Sequence, residues 1–258
     1  MLRALIWDVD GTLAETEHDG HRVAFNQAFA DEGLDWFWDE ARYRELLAIT
    51  GGKERMLSWW QRLDAAAAAA PDAAQRIARL HARKTAVYVA LVAQGRVALR
   101  PGVRRLLDEA RAQGLTLAIA TTTSPANVDA LLHATLGPDS SGWFACIGAG
   151  DVVPRKKPAP DIYHWVLQRL GLPASDGLAI EDSAPGARAA CAAGLPVLAT
   201  RSRYSRTDAL PPVLADLDGL GEPGLPAAGL WAGRPWTGQV TLAALRSALK
   251  LPAGDVGG

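Results

Sequence analysis

Two cysteines in 258 residues leave no disulfide framework to build on. Cys146 and Cys191 stand alone in apolar or Ala-rich surroundings, so they read as small core residues rather than a bridge or a metal pair. Excess charge is also lacking: 27 Lys and Arg face 28 Asp and Glu, for a net charge of −1. This excludes the basic footprint expected of a nucleic-acid or anionic-membrane partner, and any phosphate recognition must be local. The N-terminus has none of the basic, apolar and cleavage regions of a signal peptide, and no apolar run is long enough to span a bilayer. A cytoplasmic protein is the expectation. No internal repeat is present. Hydrophobic residues, at 49%, supply a core for one large domain or a domain with a sizeable insertion.

Residues 4–8 form a short apolar run that reads as a first strand. A long stretch to Gly95 then reads as helical, with Phe25, Ala28, Phe29 and Glu32, and later Tyr43, Leu46 and Leu47, on helix spacing. The Ala run at 65–70 has high helix propensity, and Pro71 suits the first turn of a helix carrying Ile77, Leu80, Lys84, Val87 and Leu91. From Arg100 helices and strands alternate. Helices are expected to start at Pro101-Gly102, carrying Val103, Leu106 and Leu107, and at Ser124-Pro125, followed by Val128, Leu131 and Leu132, with further helices at Ile162–Leu170 and Pro185–Ala193. Strands are expected at Leu115–Ala120, Cys146-Ile147, Leu178–Ile180 and Pro196–Ala199, with an edge strand at Ala215–Leu217 and a final helix at Leu242–Leu249. Such alternation predicts an α/β fold: a Rossmann-like parallel sheet covered on both faces. Connections in these sheets are short, so the helical stretch after the first strand is an insertion. The expected division is a core of residues 1–15 and 96–258 and an inserted α-helical cap of residues 16–95.

Four segments carry chemistry. The first strand runs into Asp8-Val9-Asp10-Gly11-Thr12. Two carboxylates crowded at the carboxyl edge of a sheet repel unless a cation or a shared proton relieves them. A hard cation such as Mg²⁺ binds through one or two carboxylates plus substrate phosphate. The bland alternative is an Asp-Gly turn. Thr121-Thr122-Thr123-Ser124 ends another strand, where a hydroxyl and a helix N-terminus suit a phosphate, or simply cap the helix. Lys156-Lys157-Pro158-Ala159-Pro160-Asp161 offers a lysine on a stiff backbone, or a solvated basic loop. Glu181-Asp182-Ser183 again puts paired acids at a strand end, or a helix cap.

Asp-x-Asp-Gly-Thr after an apolar run, then the strand-ending Thr121, then Lys157-Pro-x-Pro-Asp, then Glu181-Asp182, resembles in order the four motifs of the haloacid dehalogenase-like phosphatase superfamily. The resemblance implies that Asp8 is the nucleophile and Asp10 the general acid/base. It implies Thr121 (with Thr122 the adjacent alternative) as the phosphate-binding hydroxyl and Lys157 as the phosphate-neutralising lysine, with Lys156 facing solvent. Mg²⁺ would be held by Asp8, Asp182, Glu181 (directly or through water) and the Asp10 backbone carbonyl. The second Asp disfavours a dehalogenase, and a helical cap favours a small substrate.

Asp8–Thr16, Asp35–Asp39, Tyr43–Leu47, Thr50–Arg55, Thr121–Thr123 and Pro125–Val128 further resemble the CbbY subgroup, phosphatases associated with carbon fixation, and the likeness weakens after Arg203. The subgroup implies hydrolysis of xylulose-1,5-bisphosphate, a Rubisco misfire product that inhibits Rubisco. Leu13–Glu17 would be the hinge into the cap. Glu17, Thr50, Gly51, Gly52 and Lys53 would bind the sugar, with Arg55 a weaker candidate. Lys84 resembles a cap lysine of related phosphomutases. A second, unreacting phosphate needs cations away from the metal, and Lys53, Lys84 and Arg55 are on hand. The aromatic turn Asp35–Asp39 reads as packing, and His21 and His81 as ordinary helical residues. The alternatives are a phosphomutase similar to β-phosphoglucomutase, a phosphoglycolate phosphatase, and a non-catalytic sugar-phosphate-binding regulator. The expected partner is a small sugar phosphate, with a monomeric protein; the tail from Arg203 has no assigned role.

Overall fold

The computed structural model describes residues 1–250. Strand β1 (Ala4–Trp7) is followed by a π-helical turn (Glu17–His21) and five helices: α1 (Arg22–Asp31), α2 (Glu40–Leu46), α3 (Gly52–Leu63), α4 (Ala65–Ala68) and α5 (Ala73–Ala93). The chain then alternates through α6 (Val103–Ala112), β2 (Thr116–Ala120), α7 (Pro125–Leu136), β3 (Phe144–Gly148), α8 (Asp161–Leu170), β4 (Gly177–Glu181), α9 (Ala184–Ala192) and β5 (Val197–Thr200). It ends with β6 (Ala215–Leu217), β7 (Ala227–Trp231), β8 (Arg234–Gly238) and α10 (Leu242–Ala248).

The eight strands form one sheet in the order β3-β2-β1-β4-β5-β6-β7-β8. The first six are parallel, and β7 and β8 add an antiparallel hairpin. Alternation along β1 divides the core. Leu5 and Trp7 pack on the face covered by α6, α7 and α10, with Leu106, Leu131 and Leu245. Ile6 packs on the other face with Tyr163 and Val166 of α8 and Ala187 and Ala190 of α9. Helix α9 packs against β4 and β5, and because it starts at Ala184, three residues after β4 ends, its N-terminus lies at the strand ends.

The inserted helices carry an apolar cluster of their own, around Phe25, Phe29, Trp38, Tyr43, Met56, Trp59 and Trp60. The aromatic turn is packing at Trp38, which is fully buried, whereas Phe37 is 62% exposed. Two expectations need correction. Ala215–Leu217 is an internal strand, paired with β5 on one side and β7 on the other. The hairpin that covers it went unseen because Gly229, Gly233 and Pro235 interrupt its apolar pattern. The second concerns Pro71, which lies in the turn before α5 and does not open it; Asp72 is the N-cap. Among the described residues no helix is long and apolar enough to cross a membrane.

Candidate active site

Register brings the chemistry-bearing segments together. Trp7 pairs with Ile119 on one side and Ile180 on the other, so Asp8, Thr121, Glu181 and Asp182 emerge at one edge of three adjacent strands. Asp8 stays tethered there by its backbone N–H, which donates to the Ile180 carbonyl at 2.9 Å. The chain then turns at Gly11, whose φ of 81° suits glycine. A Cβ on Gly11 would also fall 2.3 Å from Asp182 Oδ2, so the turn and the acid share the space.

Lys157 is the hub. Its Nζ donates to Asp8 Oδ1 at 2.7 Å, to Glu181 Oε1 at 2.6 Å and to the Ala120 carbonyl at 2.8 Å. Tyr163, from α8, donates its hydroxyl to the same Glu181 oxygen. Burial alone would lower the Lys157 ammonium, but the Asp8 and Glu181 charges more than offset it and hold it above the usual lysine range. Asp8 is pushed up to about 7 by burial, with Lys157 opposing and the neighbouring acids adding to the rise. Asp182 is raised well above the usual carboxylate range, again by burial first and then by Asp8.

Asp8, Glu181 and Asp182 each offer a carboxylate oxygen within 4.8 Å of the others, all three buried. One ammonium faces three acids, and Glu181 Oε2 is buried without a hydrogen-bond partner. A Cβ on Gly186 would lie 1.9 Å from that oxygen, so the glycine leaves it room. An all-oxygen set with surplus negative charge fits a hard divalent cation, which would offset the burial and the neighbouring charges that raise Asp8 and Asp182.

Asp10 faces the other way. Its Oδ1 accepts from Thr16 Oγ1 at 2.6 Å and contacts His21 Nε2 at 2.8 Å. His21 Nδ1 lies 2.7 Å from Lys84 Nζ. An ammonium only donates, so Nδ1 accepts and Nε2 carries the proton given to Asp10. Burial by itself would raise Asp10; the contact with His21, the Thr16 hydroxyl and the Lys84 charge outweigh it and bring the carboxyl down to about 2. Burial also brings Lys84 down to about 8.

A cavity of about 510 Å³ opens over these groups, lined among others by Asp8, Asp10, Glu17, Arg55, Thr121 and Lys157. A sequence model of the haloacid dehalogenase-like hydrolases matches residues 2–194. The chain belongs to the haloacid dehalogenase-like hydrolase family. It is 51% identical over 225 residues to the plasmid protein CbbY of Cupriavidus necator, covering 87% of this chain and 88% of that one. CbbY of Rhodobacter capsulatus is 54% identical over 207 residues, covering 80% of this chain and 88% of the relative. The crystal structure of a CbbY mutant from Rhodobacter sphaeroides in complex with xylulose-(1,5)bisphosphate superposes with a TM-score of 0.78 at 46% identity, covering 85% of this chain and 95% of that one.

In this haloacid dehalogenase-like hydrolase the sequence-predicted residues fall into three places. Asp8, Asp10, Glu17, Thr50, Arg55, Thr121, Thr122, Lys157, Glu181 and Asp182 line the large cavity. The Asp10 carboxylate stands apart from the acidic cluster. Gly51, Gly52 and Lys84 line a small recess behind Asp10, next to His21 and His81. Lys53 lies outside both, against a side recess of about 160 Å³ that also takes in Lys156, Ser124 and Pro125. Lys156 is therefore not solvent-facing: its side chain is 11% exposed and its Nζ reaches Asp151 and the Gly150 carbonyl. Sequence reasoning missed His21, which looked like one more helical His although it stands close to the hinge. It also missed Tyr43, whose hydroxyl donates to Glu17, and Arg100, which is buried and binds the carbonyls of Gly11, Thr200, Arg201 and Asp218.

Proposed function

We propose that this hydrolase is a Mg²⁺-dependent sugar-bisphosphate phosphatase working through an aspartyl-phosphate, with xylulose-1,5-bisphosphate as its substrate. The observation that carries the reading is that Asp8 accepts from Lys157 and belongs to a buried acidic cluster lining a sugar-sized cavity. The relatives named CbbY, one of them solved with xylulose-(1,5)bisphosphate, support the substrate. By the same resemblance, removing this bisphosphate would relieve its inhibition of Rubisco.

In this reading Asp8, Asp182, Glu181 and the Asp10 carbonyl would hold Mg²⁺, which would draw charge from the phosphoryl oxygens. Asp8 attacks phosphorus, and the phosphorus–oxygen bond to the sugar breaks. Lys157 and Thr121 or Thr122 hold the transferring oxygens. Asp10 protonates the departing sugar oxygen, then takes a proton from the water that hydrolyses the aspartyl-phosphate. A carboxyl held near 2 must first gain affinity for a proton, and a dianionic phosphate seated beside it acts in that direction. His21, fixed by Lys84, aims Asp10 at the leaving oxygen.

Residues 16–95 serve as the cap, closing over the cavity and excluding water. The unreacting phosphate belongs in the side recess. There the N-terminus of α7 points in, Ser124 Oγ is buried without a partner, and Lys53 and Lys156 bring two ammonium groups balanced by Asp151. The test is kcat/KM for phosphate release, with Mg²⁺, from xylulose-1,5-bisphosphate, ribulose-1,5-bisphosphate, phosphoglycolate and β-glucose-1-phosphate. Strong preference for the first, with ribulose-1,5-bisphosphate spared, is expected. A flat profile, or another preferred substrate, would remove the assignment.

A further inference from the structure

The segment Arg201–Asp208, beyond β5, lies outside the region covered by the family model and outside the motifs. It is stapled into a rigid clip. Arg201 forms a two-pronged pair with Asp216 at 2.6 and 2.8 Å, and its Nη1 donates to the carbonyls of Ser205, Arg206 and Asp208, each at 3.0 Å. Ser205 Oγ accepts from the Ser202 N–H at 2.8 Å and lies 2.9 Å from Ser202 Oγ. The clip rises from the strand edge beside Asp182 and turns its tip toward the inserted helices.

Three contacts join that tip to α2. The Arg203 guanidinium grips both Glu40 oxygens at 3.0 and 3.1 Å. The Arg44 guanidinium lies over the Tyr204 ring at 5.0 Å, and its Nη1 reaches the carbonyls of Arg203 and Tyr204 at 3.5 and 3.4 Å. Tyr204 meets Tyr43 edge-on, with ring centroids 5.8 Å apart. Among the described residues Tyr204 is the one member of the cap's apolar cluster that comes from outside residues 16–95, and it is 8% exposed. Its hydroxyl has no partner, so the ring is what docks. Tyr43 in turn donates its hydroxyl to Glu17 and accepts from Arg55 Nη1 at 3.1 Å.

We propose that Arg201–Asp208 is a closure latch and that Tyr204 is a positioning residue, holding Tyr43 and through it Glu17 in the substrate-binding pose when the cap is shut. The clip is rigid on the core side, while Tyr204 completes an apolar cluster on the cap side. Opening the cap therefore withdraws the Tyr204 ring from that cluster and frees Tyr43. Binding of the sugar is thereby tied to closure, which favours substrates large enough to reach Glu17. This rests on the proposed sugar-bisphosphate reading for its substrate, but the latch itself is testable without one.

Two readouts test it on the full-length protein. Tyr204→Ala should raise KM for xylulose-1,5-bisphosphate about tenfold, far more than KM for p-nitrophenyl phosphate, which has no sugar to place. Tyr204→Phe should restore wild-type values, because the ring docks and the hydroxyl is unpartnered. Independently, amide hydrogen exchange across α2 should speed up several-fold in Arg203→Ala and in Glu40→Ala, and no further in the double variant. Equal losses on both substrates, failure of Tyr204→Phe to rescue, or additive effects in the double variant would overturn the latch. Should wild type ignore xylulose-1,5-bisphosphate while the exchange pattern holds, the substrate assignment falls and the latch stands.

Discussion

A proton on His81 is costly in this fold. The imidazole lies against Gly52, whose Cβ would come within 2.9 Å of Nε2, and Lys84 and Lys53 are close by. Burial first, then these positive neighbours, bring it down from 6.5 to about 4. An unfolded chain takes up this proton as pH falls through the ordinary histidine range, and the folded chain refuses it until about 4. His81 therefore erodes stability progressively between those values, by up to about 3 kcal/mol. His81→Gln should flatten the acid limb of the melting temperature against pH and leave the region above pH 7 unchanged; an unaltered acid limb would count against this account. Single residues were legible where a motif fixed their neighbours, as for Asp8 and Lys157. His21 was not, because its role depends on the π-helical turn and α5 bringing it between Asp10 and Lys84, 63 residues further along the chain.

At the scale of elements, the ends of the strands are held together by a buried guanidinium. Arg100 follows the inserted helices and satisfies the carbonyls of Gly11 from the first loop, Thr200 and Arg201 after β5, and Asp218 after β6. Arg100→Ala would strand these carbonyls in a dry site and loosen the loop that carries Asp10. The expected loss is about 3 kcal/mol or more by denaturant unfolding, with lower kcat even where the protein remains folded. A loss below about 1 kcal/mol would show that the carbonyls find other partners. Helices and parallel strands were legible from apolar periodicity, with ends off by a residue or two. The β7–β8 hairpin was not. Its exposed Ala228 and Leu230 and its glycines break the alternation, and its strands gain their place by pairing, β7 with β6 and β8 with β7, rather than by burying an apolar stripe.

The whole molecule joins two bodies of different character. An α/β core presents acids and one lysine along a sheet edge, and a helical insertion brings Glu17, Arg55 and the His21–Lys84 pair over them. The sequence motifs announced the core half because their chemistry depends on residues local to each strand end. The half carried by the inserted helices depends on how they meet the sheet edge, as the contacts of Tyr204 with Tyr43 and of Thr50 with the Lys157 carbonyl illustrate. The central claim is that Asp8 is the nucleophile of this assembly. The most direct measurement compares Mg²⁺-dependent turnover of xylulose-1,5-bisphosphate by wild type and Asp8→Asn, alongside calorimetric binding of the same substrate to both. Turnover lost by a thousandfold or more, on the order seen when a nucleophile is removed, with binding retained, is the predicted result. An Asp8→Asn protein that still turns over within about tenfold of wild type would contradict it.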